Sequence, residues 1–260
     1  MEELDALRAQ RAEVAGLLEG LTAEDWATPS RCAGWSVADV VIHLAQTEEL
    51  ALATLQDNFD QHLHDVLSEF RTAADVDEGA DLLVAAERGR PSTEVLAWWS
   101  DVSARVIDAF AARAPRDRVG WVAGTLTART LAATRMTEHW IHAGDIAGPL
   151  GIDIAPTDRL RLTARLAWRT LPYAFESAGR HLDGPVALHL TGPSGARWDL
   201  DPPAGPDGPG HGTGAPITVV RGPALDLCLV AARRVDAGDT ALEADGPDAG
   251  AVLELIRTYA

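Results

Sequence analysis

The apolar residues of the first 150 positions recur at helical spacing in four separate runs, and that periodicity restricts the fold more than any other feature. In the first run Leu4, Leu7, Val14, Leu18 and Leu21 fall on one face, with Arg11 in the one polar slot. The second begins at Ser36, where Ser36 and Asp39 form an S-x-x-D capping signature ahead of Val37, Val41, Leu44, Ala51 and Leu55. The third follows Pro91 and aligns Val95, Trp99, Val102, Val106 and Phe110; the fourth runs from about Thr127 to Ala147. Residues 58–90 are acidic and less periodic, and read as a long connection with short helical pieces. Four amphipathic helices with one long crossover predict a helix bundle.

The texture changes after Pro149. A helix is expected over Thr157–Ser177, then a β-hairpin in PVALHLTGPSGARWDLD around its Gly-Pro-Ser-Gly turn. Residues 202–216 are a Gly/Pro loop, ITVVRG a strand, and PALDLCLVAARRV and DAGAVLELIRTYA helices. The expected architecture is therefore mainly α with two domains: a helix bundle over residues 1–150 and a smaller α+β domain over 156–260.

Composition excludes several classes of partner. A formal net charge of −17 leaves no basic stripe for nucleic acid or an anionic membrane. All 22 basic residues are arginine, which removes lysine-based chemistry and suggests a GC-rich bacterial genome. Cys32 and Cys228 form no CxxC pair, so a reducing cytoplasm is expected. The N-terminal segment has no apolar core of a signal peptide, and no run reaches the roughly 18 apolar residues of a membrane span.

The chemistry concentrates in TRMTEHWIHAGDIAG, residues 134–148. Glu138 and His142 are spaced i, i+4 and leave one helix face a turn apart. Spacing alone leaves a metal site, an acid/base pair and a solvated face open. His43, set among apolar positions of the second helix, is the candidate third group, because a buried Glu138 needs a cation or proton partner. Two imidazoles and a carboxylate give a three-ligand site with one open position, which suits zinc and also iron or nickel. Asp145 is placed to accept the free N–H of His142. His139 is expected at the rim as a general base, and Arg135 beside a substrate anion or paired with Glu138. Trp26 and Trp35 pack the loop before the second helix, Trp35 being the candidate to line a cofactor pocket. Cys32 reads as structural, His62 and His64 as solvated, and His181, His189 and His211 as scattered.

WATPSRCAGWSVADVVIHLAQTEE resembles the N-terminal signature of the mycothiol-dependent maleylpyruvate isomerase family, a branch of the DinB-like four-helix metalloproteins. The matching features are Trp26, Pro29, Cys32-Ala-Gly-Trp35, Ser36 and His43-Leu44; RMTEHWIHAGDIA resembles the family's second motif. The resemblance covers roughly residues 5–150. It implies His43, Glu138 and His142 as ligands of a divalent metal, zinc first, with water as the resting fourth ligand. It implies further that a mycothiol-type thiol cosubstrate is held there as thiolate and acts on a small electrophilic metabolite, in a transferase or isomerase reaction. Hydrolase, lyase or cyclase chemistry would use the same ligands, and a non-catalytic metal- or apolar-ligand-binding module is the reading from another class. The C-terminal half is similar in layout to a sterol-carrier-like domain, which is expected to cover the site.

Overall fold

The computed structural model describes residues 2–69, 76–122, 124–202 and 214–258. The chain divides into two compact units, Met1–Ile154 and Ala155–Ala260.

The first unit is built on α1 (Glu2–Leu18), α2 (Ala23–Ala27), α3 (Val37–Leu55), α4 (Phe59–Glu69), α5 (Val76–Glu87), α6 (Ser92–Ala111), a hairpin of β1 (Arg118–Trp121) and β2 (Gly124–Thr127), and α7 (Ala128–Ala147). Four of these make the bundle: α3 packs on α6 and α7, and α1 on α7 and α6. The expected stripes supply its core, with Leu7, Val14, Val41, Leu44, Val95, Val106 and Phe110 essentially inaccessible. α3 starts where the sequence signals it. Ser36 Oγ accepts from the Asp39 N–H, and the Asp39 carboxylate accepts from the Ser36 N–H, closing a capping box. Thr22 and Asp25 repeat the device at α2. Leu21 does not extend the first helix, because the chain turns at Gly20, whose φ of 79° suits glycine.

The acidic connection is more regular than its sequence suggests: α4 and α5 are 11 and 12 residues long, and both pack on α3. The β1–β2 hairpin has no strong alternating pattern and was not expected. It pairs Arg118 with Thr127 and Trp121 with Gly124, and leads directly into α7, capped by Thr127. α7 differs from an ordinary amphipathic helix in being buried on nearly every side, its polar residues included.

The second unit contains α8 (Leu160–Ser177), β3 (Val186–Thr191), β4 (Arg197–Leu200), β5 (Thr218–Pro223), α9 (Ala224–Ala231), β6 (Glu243–Asp245) and α10 (Ala249–Leu255). The expected hairpin is β3–β4, antiparallel; β5 joins β3 in parallel and β6 closes an order β4-β3-β5-β6. α8 lies against the sheet through Trp168, whose indole N–H donates to the Val186 carbonyl at 2.9 Å. Most of the Gly/Pro loop, with His211, lies outside the described residues.

Candidate metal centre

Two neighbouring bundle helices bring the three expected donors together. Glu138 Oε1 lies 3.0 Å from His43 Nε2 and 3.5 Å from His142 Nε2. The imidazoles meet nearly edge to face, with centroids 5.1 Å apart and planes at 77°. One ligand atom from each residue lies within 4.8 Å of the others. The i, i+4 spacing on α7 supplies two donors, and the α3–α7 contact supplies the third.

Electrostatics hold this cluster in a defined state. Burial opposes ionisation of Glu138, yet hydrogen bonds from His142 and His43 and the charge of Arg135 keep its carboxyl well below the usual range. Burial also penalises the charged form of His142. Hydrogen bonds to Asp145, Cys32 and Glu138 outweigh it and hold the imidazole well above its ordinary value. Burial lowers His43, only partly offset by the Glu138 hydrogen bond. A buried carboxylate shared between two imidazole edges, each presenting Nε2, is the donor chemistry a borderline divalent ion takes, and the residues fit such a group. Asp145 lies 3.0 Å from His142 Nδ1, which donates to its Oδ2, so Nε2 is the nitrogen turned toward Glu138.

Trp35 tilts over His43 with ring centroids 5.0 Å apart. Its indole N–H donates to Asp81 Oδ1 of α5 at 2.6 Å, so it presents its ring, and not its N–H, to the cluster. The crossover thus touches the residue that covers His43, a contact without a periodic signature in sequence.

His139 and Arg135 spend their side-chain hydrogen bonds on other partners, although the charge of Arg135 acts on Glu138. His139 is fully buried: its Nδ1 donates to the Arg135 carbonyl at 2.8 Å and its Nε2 accepts from the Trp99 indole at 3.2 Å. Both nitrogens are thereby used, and burial pushes its pKa down to about 3. No rim position or free base lone pair remains for it. Arg135, 1 % exposed, donates from Nε to Glu48 Oε1 at 2.9 Å and from Nη2 to Thr47 Oγ1 at 2.8 Å. It pairs with Glu48, where pairing with Glu138 or a substrate anion had been the expectation. Arg11 reaches the same carboxylate from α1 and donates to the Ser103 carbonyl on α6 at 2.6 Å. Glu48, missed in the sequence, thus ties α1, α3 and α7 together one level along from the donor cluster.

Elsewhere, His64 is exposed, His62 half-buried and His181 exposed. His189 pairs with Asp201 at 3.0 Å. Cys228 is buried near the Leu160 carbonyl, and burial pushes its thiol above the ordinary range. Among the described residues no helix is long and apolar enough to cross a membrane.

Taken together, these elements describe a four-helix-bundle protein with a His/Glu/His donor cluster between two of its helices. Residues 7–147 match the family described as the mycothiol maleylpyruvate isomerase N-terminal domain, and the chain belongs to that family. Two crystal structures of the mycothiol-dependent maleylpyruvate isomerase share the fold with a TM-score of 0.59 at 19% identity; the similarity covers 95% of each chain in one case. In the other, a mutant, it covers 93% of this chain and 92% of that one. Two uncharacterised proteins from strains of Mycobacterium tuberculosis are 28% identical over 98% of this chain and 93% of their own length.

Proposed function

We propose that this protein is a metal-dependent enzyme in which His43, Glu138 and His142 hold a divalent ion, zinc by the character of the donor set. Held there, it would supply Lewis-acid activation of a mycothiol-type thiol cosubstrate for isomerisation of, or transfer to, a small electrophilic metabolite. The observation that carries the reading is the convergence of two imidazole Nε2 atoms on one buried carboxylate oxygen. Family membership and the shared fold of a mycothiol-dependent isomerase support the thiol. A dication at these donors would favour the deprotonated form of a thiol near neutral pH, turning it into a strong nucleophile.

The chain's own residues have separate tasks. Glu138 contributes the one negative charge of the donor set and offsets part of the dication's. Asp145 holds the His142 proton at Nδ1 and keeps Nε2 directed inward. Trp35 covers His43 with an apolar face and limits water on that side. Arg135, committed to Glu48, contributes no direct contact to a substrate anion.

The test is spectroscopic. Protein loaded with cobalt(II) and titrated with mycothiol should develop sulfur-to-cobalt charge-transfer absorption. A cobalt spectrum unmoved at saturating thiol would refute the thiol assignment and favour hydrolytic use of the same residues.

A further inference from the structure

The segment Ser30–Trp35 is built to hold one side chain, Cys32, against α7. Ser30 Oγ accepts from the Cys32 N–H at 3.1 Å and donates to the Trp35 carbonyl at 2.9 Å. The Trp35 N–H donates back to the Cys32 carbonyl at 3.0 Å, across a turn whose third residue, Gly34, has φ 79°. Glycine is the residue that adopts this angle without strain. The turn docks on the helix end: the Arg31 N–H donates to the Asp145 carbonyl at 3.1 Å, and the Arg31 guanidinium lies against Gly148. A cation there complements the negative end of the α7 dipole.

This docking places Cys32 Sγ 3.2 Å from Asp145 Oδ2, to which the thiol donates, and 3.8 Å from His142 Nδ1. Asp145 is 1 % exposed. Its Oδ2 therefore takes two donors on one oxygen, the Cys32 thiol and the His142 N–H. A buried carboxylate that loses a donor is freer to rotate or recruit water, and the orientation of the imidazole would follow it.

We infer that Cys32 is a positioning residue: it completes a Cys32–Asp145–His142 relay that fixes the imidazole so that Nε2 faces Glu138. The inference rests on the metal reading for its purpose, but not for its test. Cys32 touches none of the three donor atoms; its shorter contact is to Asp145, and its approach to His142 is on the Nδ1 side, away from Glu138.

The experiment compares the protein with Cys32→Ser and Cys32→Ala, without added metal and with cobalt(II). In metal-free protein the His142 Nδ1–H proton, assigned by nitrogen-15 NMR, should be slow to exchange in the wild type and in Cys32→Ser. In Cys32→Ala it should broaden or exchange at least tenfold faster. Cobalt(II) affinity should fall about tenfold in Cys32→Ala, as for other changes behind a metal ligand, and stay within threefold in Cys32→Ser. An unchanged Nδ1–H signal in Cys32→Ala overturns the relay, whatever the cobalt result. A wild-type protein that binds no cobalt while the Nδ1–H signal responds as stated supports the relay and refutes the metal reading, so the two fail separately.

Discussion

Replacing Glu48 by Gln tests whether the buried charge cluster holds the bundle together. Glu48 is fully inaccessible and accepts from Arg11 on α1 and Arg135 on α7, both themselves buried. Burial works against its ionisation, and the two arginines still hold its pKa below the usual carboxylate value. Glutamine keeps the size and one acceptor oxygen but leaves two guanidinium cations with no counter-charge in the cluster. Removing one partner of a buried ion pair costs about 3–5 kcal/mol, because the stranded charge stays desolvated. Against a total stability of roughly 5–15 kcal/mol this is a large fraction. At about 2–4 °C per kcal/mol the melting temperature should fall by roughly 6–20 °C. Thermal and urea unfolding, followed by circular dichroism for both proteins, measure it. A loss below about 1 kcal/mol would mean that Arg11 and Arg135 are solvated or paired elsewhere and that the cluster does not hold the bundle. The same variant should weaken the donor cluster, because Glu48 joins the helices carrying His43 and Glu138.

Two further outcomes follow from the caps and the histidines. Ser36→Ala, which opens the capping box of α3, should cost about 1 kcal/mol in urea unfolding, and no loss would mean the cap is dispensable. His139 is held neutral by burial, with its pKa lowered from 6.5 to about 3. The unfolded chain then binds a proton that the folded one refuses, so this contribution is complete above pH 6.5 and is lost as pH falls from 6.5 toward 3. His142 is shifted upward and has the opposite sign: its contribution is present below pH 6.5 and lost as pH rises through its folded value. The comparison is therefore with His139→Gln. Between pH 6 and 4 the wild type should lose stability relative to the variant, approaching about 1.4 kcal/mol per pH unit. Parallel pH profiles would contradict a neutral buried His139.

Local signals made much of the bundle legible. The stripes of Leu4, Leu7, Val14 and Leu18, of Val41, Leu44 and Leu55, and of Val95, Trp99 and Val106 lie buried as their spacing predicts, and Ser36 caps α3 as its motif implies. His43, Glu138 and His142 converge because both kinds of information survive in sequence: an i, i+4 pair, and a histidine within an apolar stripe. His139 misled because α7 has no solvent face; on a helix buried all round, neighbouring polar residues point into different clusters. Glu48 was detectable in principle. It fills the one missing position of the α3 stripe, as Arg11 does on α1, and an acid and a base in two apolar stripes form a pair that pattern alone can suggest. The Cys32–Asp145 and Trp35–Asp81 contacts join segments 113 and 46 residues apart through side chains with no periodic signature, so only the folded chain displays them.

The proposed function stands on His43, Glu138 and His142 together holding a divalent ion. Metal analysis by mass spectrometry, on protein purified after zinc-supplemented expression, tests it most directly when run beside folded His43→Ala and Glu138→Gln variants. About one zinc per chain in the wild type and less than about a tenth in each variant is the predicted result. A wild type without stoichiometric metal, or variants that retain it, would show that these three residues do not hold the ion.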